Sequence, residues 1–166
     1  MAVSDTRRAR SRTFLRIGLG VALVLGPLGC GGDDDQAADV FIGTWQIIEG
    51  NATARCTGLS PTSSLGGAQV RMTAATDAPL QVDVRGCLLK FDISGATASA
   101  RPNQTCKTTF DLAGMNLEID LTVAKADFTV TGTNGLLTMM GTATTPFLGT
   151  TGCPYDAMAM ATKTMP

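Results

Sequence analysis

Five cysteines carry the most distinctive chemistry in this chain of 166 residues, which contains no histidine. Without histidine, the chain cannot form a Ser-His or Cys-His catalytic pair, or a His-ligated zinc or haem site. The cysteines are also too far apart for a Cys-x-x-Cys redox motif or a zinc ribbon. We therefore expect a protein that is not an enzyme and that holds no cofactor and no metal centre. The five positions are Cys30, Cys56, Cys87, Cys106 and Cys153.

Two further sets of side chains could do chemistry. Glu118 and Asp120 are two residues apart, so a strand would place both carboxylates on one face, where they could act as acid and base. We interpret them instead as charges that keep an exposed face soluble. Methionines gather near the C-terminus, where thioethers could form an adaptable binding surface or bind a soft metal, although filling gaps in a core is the favoured interpretation. These methionines are Met139, Met140, Met158, Met160 and Met165.

The overall charge is close to neutral, but it is unevenly distributed. The net charge is −1, with 13 Lys and Arg against 14 Asp and Glu. Residues 1–29 hold five Arg and one Asp, whereas residues 30–166 hold the other eight basic and thirteen acidic residues. The larger part is therefore acidic, which argues against nucleic acid as a partner.

Residues 1–29 have the pattern of a signal peptide. Arginines precede a mostly apolar run from Ile17 to Leu28, which is shorter than the roughly 20 residues that a membrane-spanning helix needs. An uncleaved membrane anchor is the alternative. The stretch Ser11–Arg16 also resembles a degraded twin-arginine motif, but Ser11 stands in place of the first arginine, so the general secretory route is favoured.

The stretch Pro27-Leu28-Gly29-Cys30 resembles the bacterial lipobox, whose cysteine is lipidated and becomes the new N-terminus. Gly29 and Cys30 match it, whereas Pro27 stands where leucine is usual. An exported chain with an odd number of cysteines normally uses one of them outside its disulfides. Assigning Cys30 to lipid leaves four cysteines, which can form two disulfides. Residues 30–39 then form the lipidated cysteine and a flexible acidic tether. We expect a protein anchored by lipid in the bacterial envelope, facing the periplasm or in the outer membrane.

Residues 40–166 show the alternation of a single β domain. From Met115 to Val123 every odd position is apolar and every even position is polar, which predicts a strand with one buried face. Similar short runs predict about nine to eleven strands in an antiparallel up-and-down meander, closed as a barrel or packed as a sandwich. Asn134-Gly135 predicts a tight hairpin turn, and Thr57–Gly67 is the one long loop.

The direction of successive strands predicts how the cysteines pair. Cys87, Cys106 and Cys153 lie at or near the starts of strands that run the same way, and Cys56 ends a strand at that same end of the domain. Four cysteines allow three pairings. Cys87 and Cys106 flank one short strand, and Cys56 and Cys153 belong to the first and last strands. We therefore predict the disulfides Cys87–Cys106 and Cys56–Cys153.

Two resemblances accompany these patterns. Gly43-Thr44-Trp45 resembles the Gly-x-Trp opening of the lipocalin and avidin superfamily, which implies a barrel plugged at one end by Trp45, with the same residue as a possible ligand wall. The order of Gly-Thr-Trp and the four later cysteines is similar to a group of small exported Gram-negative lipoproteins whose function is, to our knowledge, unassigned. That resemblance supports the fold and the location only.

Three hypotheses of function remain from the sequence, of which the third, an enzyme, lacks any recognisable group of catalytic residues. The first is a non-enzymatic, lipid-anchored envelope domain that binds a protein or surface partner. The alternative is a lipocalin-like carrier of a small hydrophobic molecule, for which Trp45 and the methionines would line the site. A cavity of several hundred cubic ångströms would favour the carrier, whereas a filled interior with an exposed apolar patch would favour the partner-binding domain.

Overall fold

In a computed structural model, the described residues are 38–58, 60–112, 115–145 and 150–164, and they form ten β-strands. The predicted signal peptide, Cys30 and most of the tether lie outside the described residues. The strands, in chain order, are β1 (Gly43–Ala54), β2 (Thr62–Ser64), β3 (Gln69–Thr73), β4 (Leu80–Val84), β5 (Cys87–Ser94), β6 (Thr97–Ala100), β7 (Gln104–Leu112), β8 (Met115–Thr131), β9 (Asn134–Thr145) and β10 (Thr150–Lys163).

Eight of the strands close into an antiparallel barrel, in the order β1, β3, β4, β5, β6, β8, β9, β10 and back to β1. The closing pair runs from Trp45 opposite Lys163 to Ala54 opposite Tyr155. Closure removes the free edges that a sandwich would leave. The all-β meander is thus confirmed, and it is a barrel. Of the two strands outside the ring, β2 lies within the expected long loop and pairs with β1, and β7 pairs with β8.

One end of the barrel, here called the closed end, is filled by aromatic side chains. Trp45 and Phe128 are fully buried and meet edge to face, with their ring centroids 4.9 Å apart. The Trp45 indole Nε1 donates a hydrogen bond of 2.8 Å to the carbonyl oxygen of Phe41, which is also fully buried. The ammonium of Lys163 lies 5.7 Å from the centroid of the Trp45 ring and donates to the carbonyl oxygen of Val40. Segment 38–42 therefore covers this end.

The chain does not reverse between β6 and β7. Both strands pair antiparallel with β8, so they run in the same direction. The link between them passes through Asn103, whose φ of 59° is left-handed. Strand β8 is correspondingly long, because the runs around Leu121 and Phe128 belong to one strand whose pairing with β9 is irregular between Val123 and Lys125. That irregularity breaks the sequence alternation and makes one strand resemble two.

The predicted turn at Asn134-Gly135 is wrong by two residues. Thr131 pairs with Asn134, and the turn lies at residues 132–133, where Gly132 has a φ of 61°. Gly135 serves a different purpose, since a Cβ built there would lie 2.1 Å from Cζ of the Phe128 ring. The glycine makes room for the aromatic ring that fills the closed end.

The structure forms both predicted disulfides, with Cα atoms 4.7 Å apart in Cys56–Cys153 and 5.1 Å apart in Cys87–Cys106. Both lie at the end of the barrel opposite Trp45, here called the disulfide end. The prediction that all four cysteines lie at this end contains two miscounts of strands, which cancel. The chain does not reverse before Cys106, because β7 continues in the direction of β6. Strand β8 is one strand where the sequence predicts two, so Cys153 still begins a strand at this end.

Candidate functional site

An apolar cavity of about 130 Å³ lies inside the disulfide end of the barrel. Its wall is built from inward positions of six barrel strands, which the alternation of each strand turns toward the interior. Arg85 is the one charged residue among those that line it. The aliphatic and alanine side chains of the wall include Ile47, Val84, Leu89, Ile119, Leu121, Leu137, Ala143 and Ala157.

The cavity exists because side chains are smaller at this end than at the closed end. Phe41, Trp45 and Phe128 fill the closed end, whereas Ala143 and Ala157 occupy buried wall positions of β9 and β10 at the disulfide end. Alanine leaves unfilled volume where a larger aliphatic residue would pack. A small secondary core cluster of Leu121, Ala143 and Tyr155 replaces the dense packing of the main core here.

Tyr155 introduces the most distinctive polar group of the cavity wall. Its side chain is only 7% exposed, and its hydroxyl has no hydrogen-bond partner among the residues that the structure describes. Loss of hydration on burial raises the pKa of Tyr155 to about 12, so the phenol is neutral at physiological pH. A buried hydroxyl without a partner costs about 1–3 kcal/mol, and native proteins seldom leave one without a role. The neutral phenol is therefore a hydrogen-bond donor with no acceptor of its own.

A glycine on the neighbouring strand makes room for the Tyr155 ring. Gly141 of β9 pairs directly with Tyr155, and a Cβ added at Gly141 would lie 1.9 Å from the carbonyl oxygen of Thr122 and 3.0 Å from Cε1 of Tyr155. An ordinary side chain does not fit at this position. The backbone of β9 thus approaches both neighbours closely and fixes the position of the phenol.

Two disulfides connect strands at the rim of the cavity. Cys56, Cys87 and Cys153 all line the cavity, so both disulfides lie at its edge. The carbonyl oxygen of Arg85 accepts a hydrogen bond of 3.2 Å from the buried Thr108 hydroxyl, which ties the β4–β5 turn to β7. Arg85 adopts a φ of 53° in that turn. These links hold the mouth in a defined shape.

The structure separates the predicted site residues. Trp45 packs in the closed end and is not among the residues that line the cavity, because segment 38–42 and Phe128 surround it. In the structure, Trp45 is therefore part of the packed aromatic group that fills this end of the barrel. Glu118 and Asp120 both lie beside Lys107, 3.0 and 3.5 Å from its ammonium, and all three side chains are exposed. Cys30 lies outside the described residues.

The methionines divide between two surfaces. Met139 is half-buried and lines the cavity, as expected for a residue that fills gaps. Met140, Met158 and Met160 instead point outward from β9 and β10 and are 50%, 61% and 44% exposed. For these three, the expectation that they fill the core is wrong, because strand alternation turns them to the solvent. Met165 lies outside the described residues.

Sequence reasoning missed Tyr155 and the cavity. One signal was present, because Ala157, Ala159 and Ala161 alternate with Met158 and Met160, although the expectation that the methionines fill the core placed the alanines on the wrong face. A strand that presents only small residues to the interior indicates either close packing or empty space. Which of the two applies depends on the side chains of the opposite wall of the barrel, and these belong to other strands.

No family model, no curated protein and no solved structure matches the chain significantly. Among the described residues, none of the helical structure is long and apolar enough to cross a membrane. No group of three or more His, Cys, Asp or Glu residues in the described part of the chain could hold a metal ion.

Proposed function

We propose that the barrel binds a small, mainly apolar molecule that carries one hydrogen-bond acceptor oxygen. The observation that carries this proposal is the Tyr155 hydroxyl, which is buried, neutral and unpartnered at the wall of an apolar cavity. An apolar wall with a small number of placed polar groups is the usual composition of a small-molecule site. The acceptor oxygen of the ligand completes the hydrogen bond that the protein leaves unmade.

The size of the cavity limits the size of the ligand. The volume of about 130 Å³ is below the several hundred cubic ångströms expected of a lipocalin-like carrier, and close to an engineered cavity of about 150 Å³ that binds benzene. A six-membered ring or a short branched chain matches this volume, whereas a long acyl chain does not. The proposed ligand is therefore a compact ketone, ester or similar molecule.

A matched pair of probes tests the proposal. Cyclohexanone and methylenecyclohexane have nearly the same shape, and only the ketone offers an acceptor to Tyr155. In calorimetric or ligand-detected NMR titration, we expect Tyr155→Phe to weaken the binding of cyclohexanone about tenfold and to leave that of methylenecyclohexane unchanged, since one hydrogen bond contributes about 1–1.5 kcal/mol. Comparing each probe between the two proteins cancels the different hydration of the ketone and the hydrocarbon. An equal effect of Tyr155→Phe on both probes would contradict the assigned role of Tyr155.

A second pair of variants tests the location of the site. Ala143→Leu adds volume to the cavity wall, whereas Thr142→Leu adds it to the adjacent, exposed position of the same strand. We expect Ala143→Leu to abolish binding of both probes and Thr142→Leu to leave it unchanged. If both variants still bind cyclohexanone, the ligand lies elsewhere.

We also propose that the barrel is held at the bacterial envelope through lipid on Cys30. The four cysteines of the barrel pair with each other, which leaves Cys30 as the odd cysteine. Segment 38–42 lies at the closed end of the barrel, opposite the end that contains the cavity. Cys30→Ser should move the protein from the membrane fraction to the soluble fraction. A soluble unaltered protein, or an intact mass without acyl chains, would contradict the anchor.

The other function expected from the sequence, docking of an envelope protein or surface partner, stays a prediction.

A further inference from the structure

Most of the exposed apolar side chains of the barrel lie on one outer wall. The described residues include seven large hydrophobic side chains that are exposed, and five of these belong to the adjacent strands β1, β10 and β9. Exposed apolar side chains that occur singly need no explanation, whereas a continuous group indicates a surface that binds a protein or a membrane. The five residues, here called the apolar patch, are Ile48, Leu136, Met140, Met158 and Met160.

The strand register makes the apolar patch continuous. Met160 pairs directly with Leu136 across the β9–β10 ladder, and Met158 follows Met160 by two residues on the same face. Met140 lies diagonally across the same ladder from Met158, and Ile48 lies beside Met160 at the irregularity of the β1–β10 ladder. An apolar face at a membrane interface enters about 5–10 Å into the bilayer, so side chains spread along a curved wall contact the lipid without converging on one point.

The apolar patch begins at the closed end of the barrel. Met160 lies close to Lys163 on β10, and the Lys163 ammonium donates a hydrogen bond of 3.0 Å to the carbonyl oxygen of Val40, in the segment that covers this end. The Val40 side chain is itself 47% exposed. Six of the seven exposed apolar side chains therefore lie on this wall or at the closed end, and the seventh, Leu88, lies on β5.

The length of chain that precedes the barrel limits its distance from an anchor at Cys30. Eight peptide links join Cys30 to Ala38, the first described residue, and a fully extended chain of that length spans at most about 29 Å. A lipid on Cys30 therefore holds the closed end, and the part of the apolar patch beside it, close to the bilayer surface. No protein partner and no second copy is brought to the patch in this way.

The charges beside the apolar patch favour lipid without net charge. Glu49 is exposed at the edge of the patch, opposite a methionine of β10, and forms no ion pair among the described residues. An anionic bilayer would repel this carboxylate, and the basic side chains that would attract such a bilayer are already held in ion pairs. These pairs are Lys125–Asp127 and Arg55–Asp156.

We propose that the apolar patch docks the barrel on a bilayer surface of zwitterionic phospholipid. In this orientation the wall of β1, β10 and β9 faces the lipid, and the opposite wall, which contains β5, faces the aqueous phase. The proposal rests on the proposed lipid on Cys30, which keeps the patch at the membrane. It adds a second, weaker contact that orients the barrel.

The test couples the full chain through Cys30 to a maleimide lipid in a phosphatidylcholine nanodisc that also contains a gadolinium-chelating lipid. Cys30 is the one free thiol, because the other four cysteines form disulfides. Selective methyl labelling of methionine then reports by NMR how close each thioether lies to the head groups. We expect the signals of the three patch methionines to broaden several-fold more than those of Met72 and Met139, which point into the barrel.

Two matched variants test which wall faces the lipid. Met158→Gln removes apolar area from the apolar patch, whereas Leu88→Gln removes it from the opposite wall, where Leu88 is 53% exposed. We expect Met158→Gln to lower the ratio of docked to undocked barrel about tenfold, the factor that corresponds to burying one apolar side chain, and Leu88→Gln to leave the ratio unchanged. Broadening of the Met140 and Met160 signals measures this ratio.

Three results would overturn the docking surface. Equal broadening of patch and interior signals would assign the apolar patch to a protein partner instead, and equal effects of the two variants would place the lipid contact elsewhere. Dimers in analytical ultracentrifugation that Met158→Gln dissociates would show that a second copy covers the patch. Because the maleimide lipid supplies the anchor, native protein without acyl chains would contradict the proposed lipid on Cys30 and not the docking surface.

Discussion

At the scale of single residues, the cavity depends on Tyr155 and on the small residues around it. The phenol lies beside Gly141, and Tyr155 lines the cavity together with Ala143 and Ala157 of β9 and β10. A fully apolar wall would need no such hydroxyl, and leaving it unpaired is unfavourable for the free protein. We therefore expect that a tyrosine stands at position 155 because it binds the ligand, and not because it stabilises the barrel.

The titration of Tyr155 provides a direct prediction. It is the single tyrosine of the chain, so tyrosinate absorbance reports this residue alone. Its pKa of about 12 in the folded state exceeds the ordinary value of 10.0. The folded state thus favours the protonated form, and the associated stability is complete below pH 10 and lost as the pH rises through 12.

The size of that loss follows from the shift. Two pKa units correspond to about 2.7 kcal/mol, so the free energy of unfolding should fall by up to about 2–3 kcal/mol more in the unaltered protein than in Tyr155→Phe over this range. Lysines titrate in the same pH range in both proteins, so the difference between the unaltered protein and Tyr155→Phe removes their contribution to the free energy of unfolding. A tyrosinate signal that appears near pH 10 in folded protein would contradict the burial of the phenol.

At the scale of strands, β5 meets β7, which lies outside the ring of the barrel, without a backbone ladder between the two. The Gln104 side chain accepts a hydrogen bond from the Lys90 backbone N–H and donates one to the Lys90 carbonyl oxygen, both at 2.8 Å. The Arg101 backbone N–H donates to the same carbonyl oxygen at 2.9 Å. The Cys87–Cys106 disulfide also links β5 to β7. Side-chain and covalent links therefore join these strands at the disulfide end.

Gln104→Ala should therefore be destabilising. We expect a loss of about 1–3 kcal/mol in the free energy of unfolding, because the Lys90 backbone N–H loses its acceptor, while the Lys90 carbonyl oxygen keeps the hydrogen bond from the Arg101 backbone N–H. Gln69→Ala is the matched control, since the Gln69 amide is exposed and bonds only to the Gln46 side chain, at 3.4 Å. Denaturant unfolding and hydrogen exchange at the Lys90 amide measure the effect. Equal stability of the two variants would contradict the proposed join.

The strands could be predicted from the sequence wherever a ladder is regular. The run from Met115 to Val123 and the last strand both follow from alternation, because one face of each is buried. Prediction failed where the pairing is irregular, since the break after Val123 hides the continuity of β8. It also failed at Gly135, where the glycine is required by the Phe128 ring and not by a turn.

The candidate site was only partly accessible to sequence reasoning. The disulfides could be paired, because closing a meander brings its first and last strands together. The cavity could not be predicted, since its volume depends on which small residues of distant strands face each other. The outward direction of Met140, Met158 and Met160 follows from alternation, once the register of β9 and β10 is known.

At the scale of the whole molecule, the barrel has one filled end and one hollow end. Aromatic residues and segment 38–42 fill one end, and the disulfides link strands at the end that contains the cavity. Rigid packing at the first end leaves the second free to hold a ligand. Because Trp45 belongs to the filled end, its fluorescence should report unfolding and should change little on ligand binding.

The central claim is that a small molecule occupies the hollow end. Methionine methyl labelling tests it most directly, because Met139 lines the cavity, Met72 lies buried outside it, and Met158 lies on the outer face. On titration with cyclohexanone, we predict a saturable shift of the Met139 methyl signal, with the Met72 and Met158 signals unchanged. A Met139 signal that does not move, or a shift confined to Met158, would contradict the account.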